Sequence, residues 1–343
     1  MFSLNNRYVS KAAKLSWKSS APAVMKAGHL LFFALSILIL VGRTIGVAQS
    51  RSSDKELFQA IAKDDIGAVR VLLANGAALE AKDDRGDTPM IVAVSNQDIA
   101  IVKLLLEKGA DISAKNSYEE TALIEAARSF DPEMLRTLLD GNPDIKDKDA
   151  ALFQAAENGP VVIHIADAPP SATGQNDRAA MTAPELPWVK NVELLLDSGA
   201  DIEARDDEGE TPLMRAAAFG QSETFKLLLE RGAKINVRDR GGLTPLIAAA
   251  CSCAIATMNS TYDIMKILLE KGANVNARTR DGKTALIMAA GSPDDSASVK
   301  LLLNWGADPM AKDNEGKTAM TFAKDNWDPK KVELLKRAIA KTR

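Results

Sequence analysis

The sequence predicts an all-α solenoid of about eight helix-turn-helix units joined by short β-hairpin or turn fingers, and three recurrences carry that prediction. Thr-Pro-Leu or a relative of it appears as Thr88-Pro89-Met90, Thr121-Ala122-Leu123, Ala150-Ala151-Leu152, Thr211-Pro212-Leu213, Thr244-Pro245-Leu246, Thr284-Ala285-Leu286 and Thr318-Ala319-Met320, in steps of 33, 29, 61, 33, 40 and 34 residues. A Gly-Ala after a Leu pair keeps the same phase, at Gly76, Gly109, Gly199, Gly232, Gly272 and Gly306, with Gly141 lacking the Ala. Small pairs such as Ala126-Ala127, Ala216-Ala217 and Ala289-Ala290 follow the Thr position by five and six residues. A fixed period of this size marks stacked units that bury their apolar faces only against neighbours.

Each element of the unit has a local cause. Thr caps a helix whose first residue, often Pro, has its φ already set for helix. The Ala pairs let a second helix approach closely, where larger side chains would block it. That second helix carries Leu runs such as Leu104-Leu105-Leu106 and Leu227-Leu228-Leu229, and its closing Gly suits a left-handed C′ position. Extended segments such as Ala110-Asp111-Ile112-Ser113-Ala114 then lead into Asp-rich turns such as Asp206-Asp207-Glu208-Gly209, the expected fingers.

A period of 33 with these landmarks resembles the ankyrin repeat, over about residues 54 to 340. The resemblance implies a protein-binding surface made of finger tips and the exposed side of the first helices. The positions of this chain that match are Arg85, Asp87, Tyr118, Glu120, Asp207, Glu208, Glu210, Phe219, Arg240, Leu243, Arg280, Lys283, Asn314 and Lys317. They are acidic in the middle of the array and more basic toward its C-terminal end, which would steer a partner of complementary charge into register. Tyr118, Phe219, Trp188 and Trp305 are the aromatic contact candidates, although the two Trp residues would equally serve to cover helix ends. The His that the family usually places after Thr-Pro-Leu is replaced by Ile91, Ile124, Phe153, Met214, Ile247, Ile287 and Thr321, so its hydrogen-bond network is not expected here.

The expected organisation is a signal peptide over 1–48, an N-terminal capping repeat over 49–83, six repeats over 84–313 and a C-terminal capping repeat over 314–343. The leader has six basic residues, no acid, the apolar run Leu30 to Val41 and small residues at Gly46 and Ala48. That run is short for a bilayer crossing, so cleavage and export to the periplasm or medium are expected, with an uncleaved inner-membrane anchor as the alternative. Met25 offers a second start directly before the apolar run.

Two units are long between their helices, with insertions at about 160–187 and 254–262. The first contains Pro160, Pro169, Pro170, Pro184 and Pro187 and cannot continue a helix. Both should project from one edge of the stack. A third departure is Asp144-Ile145-Lys146-Asp147-Lys148-Asp149, which predicts a shortened finger and a notch in the finger row.

Beyond residue 48, 37 basic residues face 46 acidic ones, a net of −9 that argues against nucleic acid as partner. The only His there is His164, which excludes a site needing two imidazoles. Gly282-Lys283-Thr284 lacks the upstream Gly of a phosphate loop. The acid clusters Asp83-Asp84, Asp206-Asp207-Glu208 and Asp294-Asp295 lack the alternation of a calcium loop and read as turn and capping residues. Cys251 and Cys253 stand too close for an unstrained disulfide and read first as small apolar residues, with a redox or metal pair as the alternative. No catalytic residue, metal or cofactor is therefore expected. The predicted function is an exported, monomeric, non-catalytic scaffold for another protein; a regulatory or inhibitory subunit of an exported enzyme, or a secreted effector acting on host proteins, would use the same surface.

Overall fold

The computed structural model describes residues 53–159, 186–251, 258–293 and 296–342. The leader and most of both insertions, Cys253 and His164 included, lie outside the described residues. Sixteen helices are present among those described. Residues 53–62 form α1, followed by α2 (Ile66–Ala74), α3 (Pro89–Ser95), α4 (Ile99–Glu107), α5 (Ala122–Arg128), α6 (Pro132–Leu139), α7 (Ile145–Glu157), α8 (Pro187–Asp197), α9 (Pro212–Ala218), α10 (Ser222–Glu230), α11 (Pro245–Ala250), α12 (Met258–Glu270), α13 (Ala285–Gly291), α14 (Ser296–Asn304), α15 (Ala319–Asp325) and α16 (Pro329–Thr342). Taken in pairs they make units 1 to 8. First helices from α3 to α15 each contact the next first helix, and second helices from α2 to α16 do the same, so the stack has two rows.

The caps act as their residue types require. The side chains of Thr88, Thr121, Thr211, Thr244 and Thr284 each accept the backbone N–H three residues on, satisfying one of the free donors of a helix start. At Thr318 the bond is returned, its N–H donating to the Thr321 hydroxyl at 3.2 Å. Second helices are capped by Asp65, Asp98 and Asp131. The Ala pairs lie at 0–2% exposure between the rows, and the residue in place of the usual His is fully buried at Met214, Ile247 and Ile287.

Inter-unit polar ties are made elsewhere. On one side, amides at the ends of first helices reach the preceding unit's last carbonyls: Asn96 Nδ2 donates to Ile61 O (3.4 Å), Gln221 Nε2 to Glu157 O (3.0 Å) and Asn326 Nδ2 to Gly291 O (2.6 Å). Asn191, fully buried on α8, does this twice, to Ala127 O and Ser129 O. On the finger side a basic residue repeats the device. Lys82 donates to Lys115 O, Arg205 to Arg238 O, Arg238 to Arg278 O and Arg278 to Lys312 O.

Two readings are corrected. The segments expected to be extended are turns: at Asp111, Asp201, Asn274 and Asp308 the side chain accepts the N–H two residues on. A single isolated bridge, Lys312 with Thr318, is the only strand pairing among the described residues. Secondly, Asp144 to Asp149 form no shortened finger. They build the first turn and more of α7, which runs 13 residues against seven in α5 and α9. Asp147 then takes a bond from the Ser113 hydroxyl, and Asp149 Oδ1 accepts the Asp201 N–H at 2.7 Å, so helix occupies the expected notch. Pro187 opens α8 and Met258 opens α12, at or near the ends of the two long connections. Of the two places open to Trp188, partner contact or the cover of a helix end, the structure has the second: it is buried, edge-on to Phe130 with centroids 6.1 Å apart.

Candidate partner-binding face

The finger tips are built by one side chain each. Asp83 Oδ1 accepts the N–H groups of Arg85 and Asp87, both at 2.9 Å, and Asn116, Asp206 and Asp313 repeat the geometry. The acid clusters that contain Asp83 and Asp206 are therefore engaged in their own turns. The fourth residue of the tip needs a left-handed backbone. Gly86 (φ 79°), Gly209, Gly242, Gly282 and Gly316 supply it, whereas the finger of unit 3 uses Glu119 at φ 62°. At Gly86 the next finger also comes so near that a Cβ would stand 2.9 Å from Ser117 N. Neighbouring tips are tied through the backbone: Ser117 N–H donates to Arg85 O (3.3 Å), Arg240 to Glu208 O (2.9 Å) and Asn314 to Asp281 O (2.9 Å).

Behind the tips, the first helices present the residues four and seven places after the capping position. Along the array these are Val92 and Ser95, Glu125 and Arg128, Gln154 and Glu157, Arg215 and Ala218, Ala248 and Cys251, Met288 and Gly291, Phe322 and Asp325. Finger residues bond directly to them, so fingers and first helices share one inner face. Arg128 joins Glu120 (2.6 Å), Glu125 (3.4 Å) and Gln154 (3.0 Å). Arg215 joins Glu157 (2.5 Å), Asp206 (3.0 Å) and Glu210 (2.9 Å). Gln154 Nε2 donates to Glu157 at 3.3 Å and links the two hubs. The hydrogen bond from Arg128 holds Glu120 below the usual carboxylate range, while burial raises Glu210 against the pull of Arg215.

In units 6 to 8 the floor changes character. A pocket of about 260 Å³ is lined by Cys251, Lys283, Ile287, Met288, Gly291, Ser292, Pro293 and Phe322. Lys317 Nζ stands 5.9 Å over the Phe322 ring, and its bond to Glu315 raises its pKa.

The residues named from sequence fall into two groups. Arg85, Tyr118, Asp207, Glu208, Arg240, Arg280 and Asn314 are exposed at the tips. Glu120, Glu210, Phe219, Leu243, Lys283 and Lys317 are half-buried at finger bases or a helix end, and Asp87 is 5% exposed, bonded to Asn116 Nδ2 at 2.8 Å and to Arg85. Trp305 is exposed. Glu125, Arg128, Gln154, Glu157, Arg215, Met288 and Phe322 were not singled out, although counting four and seven from each Thr position would have found them.

Such an array of capped helix pairs, with fingers on one face, matches a known family model. The model described as "Ankyrin repeats (3 copies)" matches residues 57–149, 152–239, 179–257 and 253–341. The chain belongs to the ankyrin-repeat family. Ankyrin repeats indicate a protein-protein interaction scaffold. A comparison with the curated proteins found no match. Among the described residues no helix is long and apolar enough to cross a membrane.

Proposed function

We propose that this ankyrin-repeat chain is an exported, non-catalytic scaffold that holds a partner protein against its inner face. The observation that carries the reading is the change along that face, from interlocked charges in units 3 to 5 to a largely apolar pocket with Lys283 in its lining in units 6 to 8. A graded surface of this kind orients a partner as well as holding it. The leader, basic and then apolar with small residues at its end, supports export. A single His beyond the leader leaves little material for acid-base chemistry.

The test is capture by the immobilised full chain from the exported fraction of the source cells. A partner should be retained, and lost when Arg85→Glu and Lys283→Glu are combined, yet kept by Lys226→Glu on the outer row. Retention indifferent to the inner-face changes would refute the surface assigned. Recovery of the chain solely from the cytoplasmic fraction would refute export.

A further inference from the structure

The pocket in units 6 to 8 exists because of what its floor positions omit. Seven residues after the cap, units 3 and 4 carry Arg128 and Glu157, whose side chains fill the floor, while unit 7 carries Gly291. A Cβ on Gly291 would already touch Phe322 Cδ1 at 3.7 Å. Met288 and Phe322 remain half-buried instead of being covered by a neighbouring unit.

The pocket's size and rim narrow what it takes. At about 260 Å³ it lies below the range of roughly 300–1,000 Å³ usual for small-molecule sites, and it opens onto the inner face, so it suits one side chain of a segment lying across the units. Lys283 stands at its rim, while Lys317 of the next unit lies over Phe322 and is paired with Glu315 at 2.9 Å, so Lys283 is the cation that meets an incoming charge. An apolar residue entering beside a carboxylate satisfies both wall and rim, whereas one beside a Lys or Arg would meet like charge.

We propose that this pocket anchors an extended segment of a partner protein, taking one large apolar side chain that stands next to an Asp or Glu read by Lys283. The proposal rests on the inner face being the partner-binding surface. Met288 and Phe322 give the apolar contact, and units 3 to 5, where five carboxylates surround Arg128 and Arg215, receive the less acidic end of the segment.

The experiment selects displayed random 12-residue peptides on the full chain and measures synthetic copies by fluorescence anisotropy. Enriched peptides should share an apolar residue beside Asp or Glu. Their binding should weaken about tenfold or more with Met288→Asp and with Lys283→Glu, the latter a rim change whose thermal unfolding should match the parent chain. A peptide with the acid changed to Lys should regain affinity for Lys283→Glu. Peptides without the acid-apolar pair, binding unmoved by both pocket variants, or no enriched peptide would overturn the anchor. Peptides that ignore the pocket but respond to Arg85→Glu or Glu208→Lys would leave the broader surface standing, and peptides indifferent to every inner-face change would overturn both.

Discussion

Units 3 to 5 and units 6 to 8 share the helix pair and, in all but unit 8, the buried Ala pair, yet their inner faces differ in kind. In the first group Arg128 and Arg215 are each held by two or three carboxylates, so the floor is closed by its own charges. In the second the corresponding places hold Ala248, Cys251, Met288, Gly291 and Phe322, and the floor is left open. The finger bases follow suit, with Glu120 and Glu210 in the first group and Leu243, Lys283 and Lys317 in the second. The difference teaches that the stack and the face are separable: the buried rows hold the units together, and the exposed columns are free to diverge.

The largest expected effect breaks the closed half. Arg215→Ala leaves Glu157, Asp206 and Glu210 crowded and unpaired, and should cost about 2–3 kcal/mol, since bonds to charged groups are worth roughly 1.5–3 kcal/mol each and part is recovered by solvent. Met288→Ala in the open half should cost about 1 kcal/mol, the side chain being only half removed from water. Urea unfolding of both variants compares the halves directly, and equal losses would contradict the division.

Next in size is the finger clip. Arg278→Ala removes the donor to Lys312 O between units 7 and 8 and should lower stability by about 1 kcal/mol, read as a lower Tm.

Smaller, and of opposite sign, are two of the five left-handed positions held by residues other than Gly among the described residues. Glu119 in unit 3 and Trp327 in unit 8 sit at φ 62° and 52°. Glu119→Gly and Trp327→Gly should each stabilise by about 0.5–1 kcal/mol, strain relief being partly offset by the freer unfolded chain. A loss of stability in either would show that the side chain outweighs its backbone cost.

The smallest effect is on pH dependence. Glu120 is held below its ordinary pKa in the folded chain, so its contribution is present above the unfolded value and is lost as pH falls through the folded one. Glu120→Gln should therefore flatten the acid side of the stability curve, at a cost below about 1 kcal/mol at neutral pH after solvent screening. Glu210, raised by burial, has the opposite sign. Its carboxylate lowers stability as pH rises through its folded value, so Glu210→Gln should leave no deficit on the acid side. Equilibrium unfolding from pH 3 to 7 separates the two.

Much of this was legible in the chain. Thr at the start of six first helices, Ala pairs between the rows and Gly at the ends of most second helices are local requirements, and they appear where the spacing puts them. The Asp144 to Asp149 run was misread because alternating acids and lysines suit a solvated helix turn as well as a finger, and the choice is made by contacts with Ser113 and Asp201 far along the chain. Spacing locates the floor residues, but what they do was not legible: whether Arg128 and Arg215 are closed in by carboxylates, or Met288 and Phe322 left half-buried, is set by the side chains that meet them.

The sequence by itself determined the repeating unit, its caps, its eightfold recurrence and the acidic-to-basic drift along the fingers, because capping, turn formation and close helix approach depend on residues within one unit. Only the tertiary structure decided which charges are consumed, that Asp87 turns inward to Asn116, and that Gly291 and Met288 open a pocket beside Phe322. Those outcomes depend on side chains meeting in space, some between a finger and its own helix, as Arg128 with Glu120, and some across the stack, as Asp87 with Asn116 and Arg215 with Glu157, so that pairing and burial are not set by local pattern alone.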